Sequence, residues 1–148
     1  MKKILLFFVV ATMALVSCSD DDDNNYVDPI IGNWDLYKII MVTPDGTEIE
    51  VGDDCELQSS IYFKVNGDLT SNWFEEDDDS NCIETLYDGD WSRRNDGGYN
   101  IAAQETGGGD FELDIIYPEF RENYTKMRIP VTPDEVSVNQ TYAVFKLK

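Results

Sequence analysis

The 148-residue chain contains no histidine. That single absence excludes imidazole acid–base catalysis, Ser-His-Asp and Cys-His nucleophile systems, and His-based metal centres. Basic residues are scarce too. Eleven Lys and Arg stand against 30 Asp and Glu, a formal charge of −19, so the basic footprint of a nucleic-acid partner is missing. The phosphate-cradling glycine loop is absent as well, because Gly107-Gly108-Gly109 is followed by neither Lys-Ser/Thr nor a helical pattern. No stretch shows sustained helical periodicity. The one long apolar run, the thirteen residues from Ile4 to Val16, is short of the ~20 that span a bilayer. Paired carboxylates are the remaining route to catalysis, and Asp88, Asp90, Glu112 and Asp114 fall on predicted strands. In a chain this acidic such pairs arise by chance, so the expectation is a protein that is not an enzyme and needs no cofactor or metal.

What is present begins at the N-terminus. Lys2-Lys3 forms a charged n-region and Ile4 to Val16 an apolar h-region of signal length, so residues 1–17 are predicted to be a removable export signal. Leu15-Val16-Ser17-Cys18 resembles the lipobox of bacterial lipoproteins. There the cysteine thiolate is the nucleophile that takes the diacylglycerol, and the resemblance implies lipid attachment, palmitate included, at Cys18. An ordinary secretory signal with an incidental cysteine is the alternative. Ser19-Asp20-Asp21-Asp22-Asp23 is similar to the acidic stretch that marks surface-exposed lipoproteins in Bacteroidetes-type bacteria, against the plainer alternative of a solvated tether. Loss of Lys2 and Lys3 with the signal leaves 9 basic and 30 acidic groups, a net −21. Anionic lipid repels such a surface, so attachment must come from the acyl chains. The expected location is the outer membrane, lipid-anchored and facing the exterior, with residues 18–31 as an acidic tether.

Residues 32–148 make up one predicted domain of 117 residues. Alternation and turn signals predict strands at Trp34–Val42, Ser60–Val65, Leu69–Phe74, Thr85–Arg93, Tyr99–Gln104, Phe111–Tyr117, Tyr124–Val131 and Glu135–Leu147. Pro44-Asp45-Gly46, Asn66-Gly67, Asn95-Asp96-Gly97-Gly98, Gly107-Gly108-Gly109-Asp110 and Thr132-Pro133-Asp134 supply the turn residues between them. The fold class is therefore all-β, an up-and-down antiparallel barrel of about eight strands. Closure removes the edges that a flat sheet would expose; a sandwich is the alternative. With Cys18 acylated, Cys55 and Cys82 remain as an even pair and are predicted to form a disulfide, two free thiols being the alternative. A hairpin centred on Asn66-Gly67 puts Cys55 opposite Asp78, four residues from Cys82 in what reads as a flexible acidic loop.

Gly32-Asn33-Trp34, Ile61-Tyr62-Phe63 before Asn66-Gly67, Gly89-Asp90-Trp91 and the terminal Tyr142-Ala143-Val144-Phe145 follow one another in the order of a lipocalin. The set resembles the small lipocalin-like domains of Bacteroidetes lipoproteins, including the cysteine pair around the second hairpin. The resemblance implies that Trp34 packs across the closed end of the barrel. The arginine that covers this tryptophan in many lipocalins has only Lys146 or Lys148 as a counterpart.

A barrel of eight strands is either filled by side chains or holds one small ligand. Alternation points Trp34, Leu36, Ile61, Phe63, Val65, Leu69, Trp73, Trp91, Tyr99, Ile101, Phe111, Leu113 and Ile115 inward, most of them as core. Trp73, Trp91, Tyr99 and Tyr117 are the candidate ligand-binding residues, since Trp and Tyr join an apolar face to a polar tip. Val42 to Gln58 is a candidate lid. Glu75-Glu76-Asp77-Asp78-Asp79 could offer carboxylates to Ca²⁺ but lacks the spacing and glycine of an EF-hand, so a solvated loop is expected. The predicted partner is a small hydrophobic ligand, neutral or weakly cationic because the net field disfavours anions. The alternative is a protein–protein accessory module of an outer-membrane complex, with a solid barrel and a membrane-protein partner.

Overall fold

The computed structural model describes residues 27–109, 111–131 and 139–148, with only the backbone of Phe111, Glu112 and Leu113. The predicted export signal, Cys18, the predicted tether as far as residue 26, and residues 132–138 lie outside the described residues, as do the side chains of Phe111 and Leu113.

Among the described residues ten strands follow in chain order, all of them paired antiparallel: β1 (Gly32–Val42), β2 (Glu48–Glu50), β3 (Ser60–Phe63), β4 (Asp68–Glu76), β5 (Cys82–Arg93), β6 (Tyr99–Glu105), β7 (Phe111–Ile116), β8 (Glu119–Arg121), β9 (Lys126–Val131) and β10 (Gln140–Leu147). One 3₁₀ turn, Glu56–Gln58, precedes β3. The strands form one curled sheet in the order β7-β6-β5-β4-β3-β1-β10-β9-β8, with β2 on the edge of β1. The first strand pairs with the last, from Trp34↔Leu147 to Val42↔Gln140, as an up-and-down barrel requires.

Full closure does not follow. Residues 111–121 are one run of chain interrupted at Tyr117-Pro118. Phe111–Ile116 pairs with β6, whereas Glu119–Arg121 turns to β9. Proline has no N–H to give a ladder and fixes its own φ, so the run changes partners there. Among the described residues a seam remains between β7 and the upper half of β9.

Register decides which side chains face in. A bulge between Leu36 and Lys38 resets the alternation of β1. Trp34, Leu36 and Ile39 therefore join the main core, while Ile40 packs outside with Tyr142 and Val144. Two inward expectations fail. Val65 is 78% exposed, because β3 stops at Phe63 and the chain is already turning towards Gly67. Ile115 is exposed, because Tyr99↔Ile116 and Ile101↔Asp114 give β7 the opposite parity. A one-residue difference in register exchanges the two faces of a strand. Tyr124 does not begin a strand; it sits in a left-handed turn at φ 64° after Glu122 and Asn123.

Cys55 and Cys82 form a disulfide with Cα atoms 5.5 Å apart. Cys82 opens β5 opposite Glu76 rather than lying in a loop, so the bridge clamps the chain before the 3₁₀ turn to the β4–β5 hairpin. The acidic run is correspondingly ordered. Glu75 and Glu76 end β4, and the Asp77 carboxylate accepts from the backbone N–H of Asp79 (2.9 Å) and Asn81 (2.8 Å). Those bonds favour the ionised form, and those to Asn81 hold the Asp77 carboxyl below its ordinary value. Asp77 thus closes a tight turn where a flexible loop was expected. The 42–58 connection is not a lid: it turns at Thr43–Thr47 and runs back along β1 as β2.

Candidate functional site: the barrel cavity

At one end the interior is solid. Trp34 is fully buried, its Nε1 donates to the carbonyl of Ile30 at 2.7 Å, and its ring lies 6.2 Å from that of Phe120. Phe63, Trp91 and Tyr99 continue the cluster, with centroids 6.0 and 5.9 Å apart in sequence of contact. Each polar tip is satisfied, since Trp91 Nε1 donates to the Lys64 carbonyl (2.9 Å) and the Tyr99 hydroxyl to Asp28 (2.6 Å). Asp28 also receives Arg93 at 3.2 Å, which fastens residues 28–31 beneath the barrel. Lys148, one of the two counterparts of the covering arginine, reaches Asp35 at 2.8 Å.

Towards the other end the inward positions turn small. Ser71 on β4, Ala103 on β6 and Ala143 on β10 leave a cavity of about 450 Å³. Its wall is largely apolar, built from Ile61, Phe63 and Leu69 on one side and Ile116, Ile129 and Phe145 on the other. Above them stand Trp73 and Tyr87, on neighbouring strands. Such a pocket suits an apolar body of small-ligand size. Its ionisable wall residues are Glu75, Tyr87 and Asp114; Asp114 accepts from the Ile115 N–H at 2.7 Å. Among the described residues neither Lys nor Arg lines the wall.

Of the four candidate ligand-binding residues, Trp73 alone lines this cavity. Trp91 and Tyr99 belong to the closed-end core, because the space between Phe63 and Asp28 accommodates both rings and their polar tips. Tyr117 lies outside. It is about half exposed, its hydroxyl reaches Asp96 at 3.2 Å, and its ring covers Gly98, where a Cβ would come within 2.7 Å of it. Asp96 beside it is held down to about 2 by the Arg94 guanidinium, the Gly98 N–H and the Tyr117 hydroxyl, an arrangement that fixes the β5–β6 turn. No residue of the 42–58 segment is on the cavity wall. Tyr87 was open to sequence reasoning, since it shares the parity of Trp91. Asp114 was not, because Phe111, Leu113 and Ile115 make the opposite parity look like the inner one.

The family described as the lipocalin-like domain matches residues 30–117, which takes in the chain from Ile30 beneath Trp34 to the end of β7. No curated protein matches the chain.

Proposed function

Because the chain belongs to the lipocalin-like domain family, we propose that it is a binding protein, not an enzyme, that takes a small hydrophobic ligand into the cavity beside Trp73. The observation that carries this reading is the 450 Å³ apolar cavity at the open end of a barrel whose other end is solid. An accessory module with a membrane-protein partner would have been favoured by a filled interior, and the cavity counts against it. Leu15-Val16-Ser17-Cys18 and the acids that follow support the further reading that the protein is a lipoprotein, anchored in the outer membrane through Cys18 and displayed on the exterior.

The uncharged fluorophore N-phenyl-1-naphthylamine tests the site. It should bind with a blue-shifted, enhanced emission, and Trp73→Ala should weaken it. Loss of roughly 80 Å² of ring contact at ~25 cal/mol/Å² is about 2 kcal/mol, or roughly 30-fold in Kd. Trp91→Phe, which changes the closed-end core, should leave Kd within about threefold as long as the protein is folded. Equal binding by the wild type and a folded Trp73→Ala variant would remove the ligand from this cavity and restore the protein–protein reading.

A further inference from the structure

We propose that the cavity selects amphiphilic cations, molecules with an apolar body that fills the barrel and a protonated amine that pairs with a wall carboxylate, Asp114 beside the seam or Glu75 at the open end. This rests on the ligand-binding reading above and adds the class of ligand. Three observations converge on it. Glu75, at the open end of β4, and Asp114, on β7 beside the seam, both face the cavity and both remain open to water. A cationic head could therefore meet either one without being fully stripped of solvent. No positive charge opposes it there: seven of the basic side chains are engaged in ion pairs away from the wall, and neither Glu75 nor Asp114 takes part in one of those pairs. The wall also carries the rings of Trp73 and Tyr87, whose faces attract cations and repel anions.

The parity of β7 is what makes this a property of the site as well as of the net charge. Had Ile115 faced inward, the seam side of the cavity would have been apolar. Instead Asp114 and Ile116 do so, and the polar position falls next to Ile101. An anionic amphiphile such as a fatty acid would place its carboxylate in a cavity whose charged wall groups are themselves carboxylates, in a chain that already carries a large negative charge. An uncharged one would gain only the apolar contact.

Three ten-carbon chains that differ in their head group provide the test: decylammonium, decanol and decanoate, each used to displace N-phenyl-1-naphthylamine from the intact protein at low ionic strength and neutral pH. Decylammonium should displace the fluorophore at a concentration about twofold to fivefold below decanol, as pairing with one partly solvated carboxylate would give. Decanoate should need more than decanol. The preference should shrink as salt is raised. Since any acidic protein attracts cations, the deciding comparison is between variants. Glu75→Gln/Asp114→Asn should bring decylammonium to the decanol value, while the charge-matched control Asp54→Asn/Asp90→Asn, off the wall, should keep the wild-type preference. Both substituted wall residues are solvent-exposed, and the single variants serve if the double one fails to fold. A preference that survives in the wall variant, or that the control abolishes equally, overturns the proposal while leaving the cavity as a site. Failure of decanol itself to displace the fluorophore would overturn the ligand-binding reading, and this proposal with it.

Discussion

Asp96 shows how much of this protein's acidity is placed work rather than bare solvation. Its carboxylate sits in the β5–β6 turn, accepts from Arg94 at 2.9 Å and from the Gly98 N–H at 3.1 Å, and is thereby held at about 2 against an ordinary 3.8. A carboxyl depressed in the folded state contributes stability that is present above its unfolded value and lost as pH falls through its folded one. For Asp96 that window runs from about pH 4 to pH 2. Urea midpoints for the wild type and Asp96→Asn should therefore differ most above pH 4, with the wild type higher, and should converge towards pH 2. A constant difference across the window would assign the effect to packing against Tyr117 instead. Asn95-Asp96-Gly97-Gly98 was legible as a turn. The role of Tyr117 was not, because a tyrosine at the end of an alternating strand reads equally well as a pocket wall or as the cover of a glycine, and only the tertiary placement of Gly98 decides between them.

At the scale of elements, strand existence was written in the sequence more plainly than strand pairing. Each predicted strand from residue 34 to 131 corresponds to an observed one within a few residues, since alternation and Gly, Asn and Pro punctuation are local signals. The partners of residues 111–121 are not local. Pro118 marks the interruption, but that the run would leave β6 for β9 follows from the curl of the whole sheet. The disulfide lies between these cases. Parity and hairpin geometry indicated it, yet the acidic segment that carries Cys82 proved to be strand and tight turn. The bridge spans a separation of 27 residues, which in the chain-entropy description stabilises by about 3–4 kcal/mol through the unfolded state. Cys55→Ala/Cys82→Ala should lower the unfolding free energy by about that amount and leave the fluorophore's Kd nearly unchanged, because neither cysteine is on the cavity wall. Non-reducing peptide maps should show the linked fragments in the wild type. Free-thiol labelling of both cysteines in the natively produced protein would contradict the bridge.

For the whole molecule, the polarity of the barrel joins the cavity to the proposed anchor. Val27 and Asp28, the first described residues, lie at the closed end, where Asp28 meets Tyr99 and Arg93. The cavity opens towards Trp73, Glu75 and Val131, far along the strands from that point. A tether from a lipidated Cys18 would thus enter at the solid end, and the mouth would receive its ligand from the surrounding medium and not from the bilayer. Net charge adds to this: with 25 acidic and 9 basic residues, residues 32–148 carry a net −16 that anionic lipid repels, so the acyl chains alone would hold the domain at the surface. Cys18→Ala should therefore move the protein from the membrane fraction to the soluble one, and the released protein should bind N-phenyl-1-naphthylamine with the Kd of the lipidated form. Asp20 to Asp23 changed to Asn should leave lipidation intact but withdraw the domain from protease added to whole cells. Unchanged accessibility would assign those acids to a simple spacer. A Cys18→Ala protein that is folded but no longer binds would mean that the ligand comes through the membrane, and that the open end of the barrel faces it.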